Sequence, residues 1–207
     1  VVESMRRAYR DRTFFLGDPD FVQIPQKVLT SKDYAQGLRA TIHPEKATPS
    51  DLLSGNPTPL EDDETTHFSI IDRDGNRVGA TQTVNLLYGS GLIPKGTGVL
   101  LNNRMAYWHL ASGHANRLVP GKRVRHTMNA PMVFRDGKLW AVEGTPGADN
   151  QVQINAQVLT SMMDLGADPQ QALEAPRWTS SQRGQGANWP HDGDGRLTVE
   201  ATYGEDN

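Results

Sequence analysis

A sharp change of pattern about a third of the way along the chain constrains its fold more than any other feature. Residues 43–64 contain four prolines and few large apolar side chains, and they end in four consecutive acids. This composition offers no packed core and predicts an exposed linker. Residues 66–71 and 77–84 then have the composition of two β-strands, and turn residues at 72–76 join them. A hairpin therefore follows the linker directly.

Two helices are predicted before the linker. In residues 1–12 the apolar side chains share one face of a helix and the arginines share the opposite face. The apolar residues are Val2, Met5, Ala8 and Tyr9, and the arginines are Arg6, Arg7 and Arg10. Ser31 is the predicted N-cap of a short helix over residues 32–40.

More strand and helix signals follow the first hairpin. A second hairpin is predicted over residues 132–134 and 139–142, around an Arg-Asp-Gly turn. Helical periodicity runs from Gln151 and stops at Gly166, and a further short helix is predicted between residues 168 and 176. Strand pairs followed by helices indicate a layered α+β architecture.

Charge and composition exclude several classes of function. The net charge is −3, and residues 1–64 carry 8 basic and 11 acidic side chains against 13 of each in residues 65–207. A nucleic-acid binder needs an excess of basic residues, so none is expected as a partner. No apolar run reaches the roughly 20 residues that cross a bilayer. With no cysteine, the chain has no disulfide and no thiol nucleophile.

Motif spacing gives no support to a metal or an organic cofactor. In the Gly-rich loop at 88–98, Gly96 is followed by Thr97 and not by the lysine that a phosphate loop requires, so the loop is not a phosphate loop. The Asp-Gly clusters at 72–76 and 192–195 lack the ligand spacing of a calcium loop and are interpreted as turns. The six histidines show no zinc-binding spacing and are expected to be surface or hydrogen-bonded residues.

The densest positive cluster allows two interpretations. A solvated face is the usual role of such a run, and attraction of an anionic substrate to a neighbouring site is the alternative. The cluster consists of Arg117, Lys122, Arg123, Arg125 and His126.

The junction between Glu64 and Thr65 also allows two interpretations. Two threonines at 65 and 66 suit the start of a strand, and the residues alone favour that reading. If the chain were cut before Thr65, however, the hydroxyl would gain an α-amine with a pKa of about 8 that could accept its proton.

Several ordered motifs of the chain resemble the γ-glutamyltranspeptidase family. The resemblance to the start of that family's small subunit is carried by residues 65–76 (TTHFSIIDRDGN), 81–85 (TQTVN), 98–103 (GVLLNN), 144–147 (GTPG) and 172–177 (ALEAPR). Upstream, residues 9–12 (YRDR) and 16–19 (LGDP) are similar to the end of its large subunit. Both ends of the chain look cut, so we expect a segment of a longer precursor.

The resemblance implies a fold, an activity and two subunits. It implies an N-terminal-nucleophile hydrolase, a four-layer αββα sandwich of which this chain is a part. Residues 1–64 would be the tail of the large subunit with its acidic linker, and residues 65–207 the start of the small catalytic subunit. Cleavage before Thr65 would free the nucleophile, which passes an acyl group from a γ-glutamyl or related amide to water or an amino acid, without a cofactor.

The resemblance also assigns roles to individual residues. Thr83 would hydrogen-bond Thr65 and orient its hydroxyl, and Asn85 on the same strand would contact substrate. Gly147 and the next residue, Ala148, would supply backbone N–H groups to the oxyanion. In bacteria such enzymes are often periplasmic or secreted, while the residues themselves assign no location.

Departures from the family pattern concern substrate recognition. Ala148 replaces a second glycine, and a position with φ > 0 would resist alanine. His126-Thr127 stands where two small polar residues are expected, so only Thr127 keeps a hydroxyl. Arg104 and Tyr107 stand where acidic or amide groups would hold the substrate's α-ammonium.

These departures leave three hypotheses open. The first is a γ-glutamyltranspeptidase-like enzyme whose acyl group lacks a free α-amine, because Arg104 would repel that amine and pair with a carboxylate. The second is a cephalosporin- or glutaryl-acylase-like amidase. The third is a non-catalytic homologue that keeps the fold, and intact Thr65, Thr83 and Asn85 argue against it.

Overall fold

A computed structural model describes residues 1–53, 64–182, 185 and 195–200. The acidic residues 61–63, His191, most of the 192–195 turn and the C-terminal residues 201–207 lie outside the described residues. The described part combines helices with three two-stranded sheets, which confirms the α+β class.

The chain divides into two compact units. The first unit consists of Val1–Leu60, Arg104–His126 and Ser180–Leu197. The second unit consists of Glu61–Asn103, Thr127–Thr179 and Thr198–Asn207.

The described part of the first unit contains three α-helices, and the predicted ones are confirmed. They are α1 (Val2–Phe15), α2 (Gln26–Leu29) and α3 (Lys32–Ala40), and short 3₁₀ turns cover Ser50–Leu52 and Arg104–Tyr107. The Oγ of Ser31 accepts a hydrogen bond from the backbone N–H of Tyr34 at 3.2 Å, so α3 begins where its cap predicted.

The arginine face of α1 is not exposed to solvent throughout. Arg6 and Arg7 are only 7% and 4% exposed. Both form ion pairs with Glu3 one turn earlier, and Arg7 also donates to Thr41 and Thr48. Acceptors supplied by other segments therefore compensate for the burial of two guanidinium groups, which spacing along one helix could not indicate.

Nine of the eleven described residues of the predicted linker, 43–53, are exposed as expected, and Thr48 and Leu53 are the exceptions. Thr48 is half-buried, its carbonyl accepts from Arg6 at 2.9 Å, and its hydroxyl donates to Glu3 at 2.7 Å. Leu53 is 5% exposed, and its carbonyl accepts from Gln185 at 2.7 Å. Polar groups, more than apolar ones, attach this segment to α1, and a search for apolar periodicity does not detect them.

The positive cluster is not a uniformly solvated face. Arg125 is 5% exposed, and Lys122 donates to the carbonyl of Ala115 at 2.6 Å. Arg123 donates from both its side chain and its backbone to Asp18, at 2.6 and 2.8 Å, and these bonds hold the pKa of that carboxyl well below its usual range.

Two antiparallel hairpins form the sheets of the second unit, and both were predicted. The first pairs β1 (Glu64–Ile71) with β2 (Arg77–Asn85), and the second pairs β3 (Met132–Arg135) with β4 (Lys138–Val142). At the first turn Asp72 Oδ1 accepts from the backbone N–H groups of Asp74 and Asn76, at 3.0 and 2.8 Å. This Asx-type bonding is the turn chemistry that the sequence indicated.

Two helices follow, as predicted. They are α4 (Gln151–Asp164) and α5 (Pro169–Glu174). A capping box between Asp168 and Gln171 begins α5, with proline in its first turn. The third sheet pairs β5 (Trp178–Ser180) with β6 (Leu197–Val199).

The buried ion pairs of Glu3 predict an acid-sensitive first unit. Burial opposes ionisation of Glu3, but hydrogen bonds from Thr48, Arg7 and Arg6 outweigh it and lower its pKa from 4.5 to about 2. A lowered pKa gives stability that is present above pH 4.5 and is lost as the pH falls towards 2. We expect Glu3→Gln to cost about 2 kcal/mol at pH 7 and to flatten the pH dependence of stability in that window.

Thermal unfolding of the full-length protein between pH 7 and pH 2 measures this effect. Glu45→Gln, at an exposed carboxylate in the same unit, is the matched control and should match the wild type at pH 7. Equal melting temperatures for Glu3→Gln and the wild type at pH 7 would contradict the prediction.

Candidate active site

Thr65 and Thr83 lie opposite each other where β1 meets β2, at a shift in register. Glu64 pairs with Asn85 and Thr65 with Thr83, so Val84 is an extra residue on β2. Such a bulge bends a strand and redirects its side chains. The Thr65 hydroxyl donates to the Thr83 hydroxyl across 3.2 Å, and both residues are half-buried. The pairing predicted for the nucleophile is therefore present in the hairpin.

Asn85 completes the bulge in a left-handed conformation. Its φ is +83°, a region that asparagine tolerates better than most residues, and it is only 2% exposed. From this conformation its backbone N–H donates to Thr83 Oγ1 at 2.8 Å. The Thr83 oxygen thus accepts from both Thr65 and Asn85, which orients the Thr65 hydroxyl.

Asn103 extends this arrangement, and sequence reasoning gave it no role. Its Oδ1 accepts from Asn85 Nδ2 at 2.8 Å and from the backbone N–H of Leu86 at 3.2 Å. Its own backbone N–H donates to the carbonyl of Val84 at 3.2 Å. Asn103 therefore holds the bulge from outside the hairpin, and its only signal in the sequence is the Asn102-Asn103 pair.

The backbone at Gly147 has a conformation that only glycine adopts readily. Its φ is +122°, and a Cβ there would lie 3.3 Å from Cδ1 of Ile154. Its carbonyl accepts from the backbone N–H of Asn150 at 2.6 Å, which closes a tight turn before α4. Among the described residues, no hydrogen bond uses the backbone N–H of Gly147 or of Ala148. Two adjacent, buried N–H groups therefore lie side by side without a backbone acceptor in the described part of the chain.

Ala148 occupies a left-handed conformation without being glycine. Its φ is +38°, and it is 4% exposed. A residue with a Cβ costs about 1–2 kcal/mol in this region, because the Cβ crowds the next carbonyl. The alanine that replaces the family's second glycine is therefore accommodated with strain.

His67 lies two residues after Thr65 on the same face of β1. Its Nδ1 is 2.9 Å from Thr81 Oγ1 and its Nε2 is 3.2 Å from Ser69 Oγ, so it is the hydrogen-bonded histidine that the sequence predicted. The ring also lies directly on Gly144, where a Cβ would come within 2.2 Å of Nδ1. Glycine at 144 thus allows the loop that leads to Gly147 to contact the face that carries Thr65.

Two titratable groups beside this loop are held towards their uncharged forms. Burial lowers the pKa of His67, and burial raises the pKa of Glu143 to about 7. Desolvation disfavours the charged form of each group. The surroundings of the loop therefore carry less formal charge near neutral pH than their composition suggests.

The second unit contains most of the predicted site residues. It holds Thr65, Thr83, Asn85, Thr127, Gly147 and Ala148. Thr127 is 8% exposed, and its carbonyl accepts from Asn129 Nδ2 at 2.8 Å.

The remaining predicted residues, Arg104, Tyr107 and His126, belong to the first unit. The guanidinium of Arg104 lies 4.4 Å from the ring centroid of Tyr107, within range of a cation–π interaction. Tyr107 has no exposed surface, and its carbonyl accepts from Asn116 Nδ2 at 2.6 Å. His126 is exposed. Tyr107 is therefore placed to support Arg104, while Arg104 itself is half-buried.

In the described part of the chain, no group of three or more His, Asp or Glu side chains is arranged to hold a metal ion. No helix there is long and apolar enough to cross a bilayer.

Comparison with known proteins adds three relatives. A glutathione hydrolase proenzyme of Pseudomonas sp. (strain A14) is 40% identical over 188 residues, which cover 86% of this chain and 33% of that protein. A gamma-glutamyltranspeptidase structure from Pseudomonas nitroreducens is 36% identical with a TM-score of 0.52, covering 56% of this chain and 65% of that one. A cephalosporin acylase structure from Bacillus halodurans is 29% identical with a TM-score of 0.74, covering 87% of this chain and 32% of that one.

The match to a family profile is more extensive than any of these pairwise matches. The chain spans about a third of the length of the curated relatives that it matches. The profile described as Gamma-glutamyltranspeptidase covers residues 1–206, nearly all of the sequence. With the threonine pair, the bulge and the Gly147 turn in place, the chain belongs to the gamma-glutamyltranspeptidase family.

Proposed function

We propose that this chain spans the cleavage point of a precursor whose mature form transfers or hydrolyses the acyl group of an amide through Thr65. The observation that carries the proposal is the 3.2 Å contact between the Thr65 and Thr83 hydroxyls at the start of β1. Cleavage between Glu64 and Thr65 leaves the hydroxyl oriented and adds an α-amine beside it.

The mechanism uses the amine as base and then as acid. With a pKa of about 8, it accepts the Thr65 hydroxyl proton as the oxygen attacks the substrate carbonyl. The same proton passes to the nitrogen of the leaving amine when the tetrahedral intermediate collapses to an acyl ester on Thr65. Water hydrolyses the ester, or the amino group of an acceptor takes the acyl group.

The backbone N–H groups of Gly147 and Ala148 are proposed to stabilise the oxyanion of the intermediate. Both residues are buried, so their dipoles act where water does not screen them. Such donors typically contribute about 10²–10³ in rate. The strain at Ala148 is then associated with a functional position.

Contacts within the first unit support two subunits that stay together after cleavage. Arg12 donates to the carbonyl of Gln185 at 2.7 Å, and Arg123 binds Asp18. Each contact joins a residue before the Glu64–Thr65 bond to one after it. We propose that residues 1–64 end the large subunit, that residues 65–207 begin the small one, and that the complete protein is a four-layer αββα sandwich.

The proposed acyl donor is an amide of a dicarboxylic acid without a free α-amine. Arg104 stands where the family pattern has a residue that binds an α-ammonium, and stacking on Tyr107 limits its freedom. A guanidinium repels an ammonium and forms charge-assisted hydrogen bonds to a carboxylate. The likeness to a cephalosporin acylase favours this donor, and a γ-glutamyl amide is the alternative.

Substitution of Thr65 tests the nucleophile. We expect Thr65→Ala in the full-length precursor to remain uncleaved and to lose amidase activity, because no hydroxyl remains to attack either bond. Denaturing electrophoresis with N-terminal sequencing measures cleavage. Thr66→Ala, at the adjacent exposed threonine, should still produce a chain that begins at residue 65. Cleavage of the Thr65→Ala precursor at that bond would refute the assignment.

Replacement of Ala148 by glycine tests the strain. We expect Ala148→Gly to stabilise the protein by about 1 kcal/mol, because glycine adopts φ = +38° without a Cβ clash, and to keep activity, because the N–H remains. Ala172→Gly, at a buried site within α5, should destabilise by about 1 kcal/mol. Thermal unfolding compares the two, and equal destabilisation would show that Ala148 is unstrained.

Paired substrates test the donor. We expect a glutaryl anilide to have a higher kcat/KM than the γ-glutamyl anilide, and Arg104→Gln to lower the glutaryl value about 10- to 100-fold. Arg73→Gln, at an exposed arginine in the first hairpin turn, should leave both values within about twofold of the wild type. A strong wild-type preference for the γ-glutamyl compound would contradict the proposed donor.

A further inference from the structure

Asn129 connects the strand pair that carries Thr65 to the helix that follows the Gly147–Ala148 turn. Its carbonyl accepts from the Thr81 hydroxyl of β2 at 3.0 Å. Its backbone N–H and its Nδ2 both donate to Oε1 of Gln151, each at 3.2 Å. Gln151 is the first residue of α4 and has no exposed surface.

The remaining side-chain capacity of Asn129 is also used. Nδ2 donates to the carbonyl of Thr127 at 2.8 Å, and Oδ1 accepts from Asn155 Nδ2 at 2.8 Å. The orientation of Gln151 follows from the same pattern, because a backbone N–H can only donate and must face its oxygen. Asn129 therefore links β2, through Thr81, to two residues of α4, Gln151 and Asn155.

The hydrogen bonds of Asn129 continue through Thr81 of β2 to His67 of β1. The Thr81 hydroxyl proton goes to Asn129, so the Thr81 oxygen accepts from His67, which requires the proton on Nδ1. Nε2 lies 3.2 Å from Ser69 Oγ, whose hydroxyl donates to the carbonyl of Val142 at 3.4 Å. Hydrogen bonds in such a chain polarise one another, so each is strengthened by its neighbours.

The loop that carries the two oxyanion donors is thereby held at both ends. At its start, the His67 ring lies on Gly144 and leaves no space for a Cβ. At its end, Asn129 holds Gln151, which follows Asn150 directly. Gly147 and Ala148 lie between these two anchors, and both anchors lead back to the hairpin that carries Thr65.

We propose that Asn129 is a positioning residue that fixes the Gly147 and Ala148 backbone donors relative to the Thr65 hydroxyl. Asn129 acts through Gln151 and does not touch the reacting atoms. The inference rests on the proposed function, because it names the residue that fixes the positions of the N–H donors which the proposed reaction requires. Catalysis depends on this geometry, and a misplacement of about 1 Å can cost about 10²-fold in rate.

Kinetics of Asn129→Ala in the full-length precursor test the proposal. The substitution removes the bonds of Nδ2 and Oδ1 but keeps both backbone bonds. Rates are expressed per chain that begins at Thr65, so that incomplete cleavage does not affect them. With the anilide that the wild type prefers, we expect kcat to fall about 10- to 100-fold while KM stays within about twofold.

A second measurement separates positioning from general destabilisation. A boronic acid that carries the acyl chain of the preferred anilide forms a tetrahedral adduct on the Thr65 oxygen. A hydroxyl oxygen of this adduct is then placed to accept from the N–H groups of Gly147 and Ala148. We expect its affinity to fall in proportion to kcat/KM. Gln157→Ala is the matched control, because Gln157 is a half-buried amide of α4 that bonds to Trp178 at 2.8 and 3.0 Å. It should lower the melting temperature and leave kcat within about twofold.

Each outcome supports or overturns the proposal. A kcat for Asn129→Ala within twofold of the wild type, or a rise in KM alone, overturns it while the proposed function stands. A wild-type precursor that neither cleaves nor turns over either anilide overturns the proposed function and this inference with it. If Asn129→Ala does not fold, Asn129→Ser, which keeps one donor, is measured in the same way and should show a smaller fall in kcat.

Discussion

The hydrogen bond between the Thr65 and Thr83 hydroxyls lies at the end of the regular register of the hairpin, directly beside the extra residue of β2. Because Val84 is unpaired, Asn85 turns into a left-handed conformation and its N–H reaches back to Thr83. The same turn directs the Asn85 amide towards Asn103. The bulge thus gives Thr83 Oγ1 a second donor, the Asn85 N–H, beside the Thr65 hydroxyl that we propose as the nucleophile.

Polar groups determine much of the remaining structure. The buried arginines of α1 are hydrogen-bonded to Glu3, Thr41 and Thr48, and Asn129 joins the β1–β2 hairpin to α4. Buried polar groups contribute when every partner is present and cost free energy when one is lost. From this dependence we expect the first unit to be sensitive to acid, and we propose that the geometry of the Gly147 turn depends on Asn129.

Local sequence signals predicted the elements well because their causes are local. Ser31 caps α3, Asp168 and Gln171 form a capping box, and the Asp72 turn joins β1 to β2, each through bonds within a few residues. The burial of Arg6 and Arg7 was not predicted, because several of their acceptors, such as the carbonyls of Thr41 and Thr48, come from residues 41–50. Helical periodicity describes one helix, and it carries no information about a segment that returns to cover it.

The sequence by itself determined the α+β class, the boundaries of most helices and strands, and the family whose ordered motifs place Thr65, Thr83 and Gly147. Only the tertiary structure decided the register that pairs the two threonines, the left-handed conformations of Asn85 and Ala148, and the roles of Asn103 and Asn129. The physical reason is how far apart in the chain the interacting residues lie. Caps, turns and periodicity depend on neighbours in the chain, whereas register and buried hydrogen bonds depend on partners that only folding brings together.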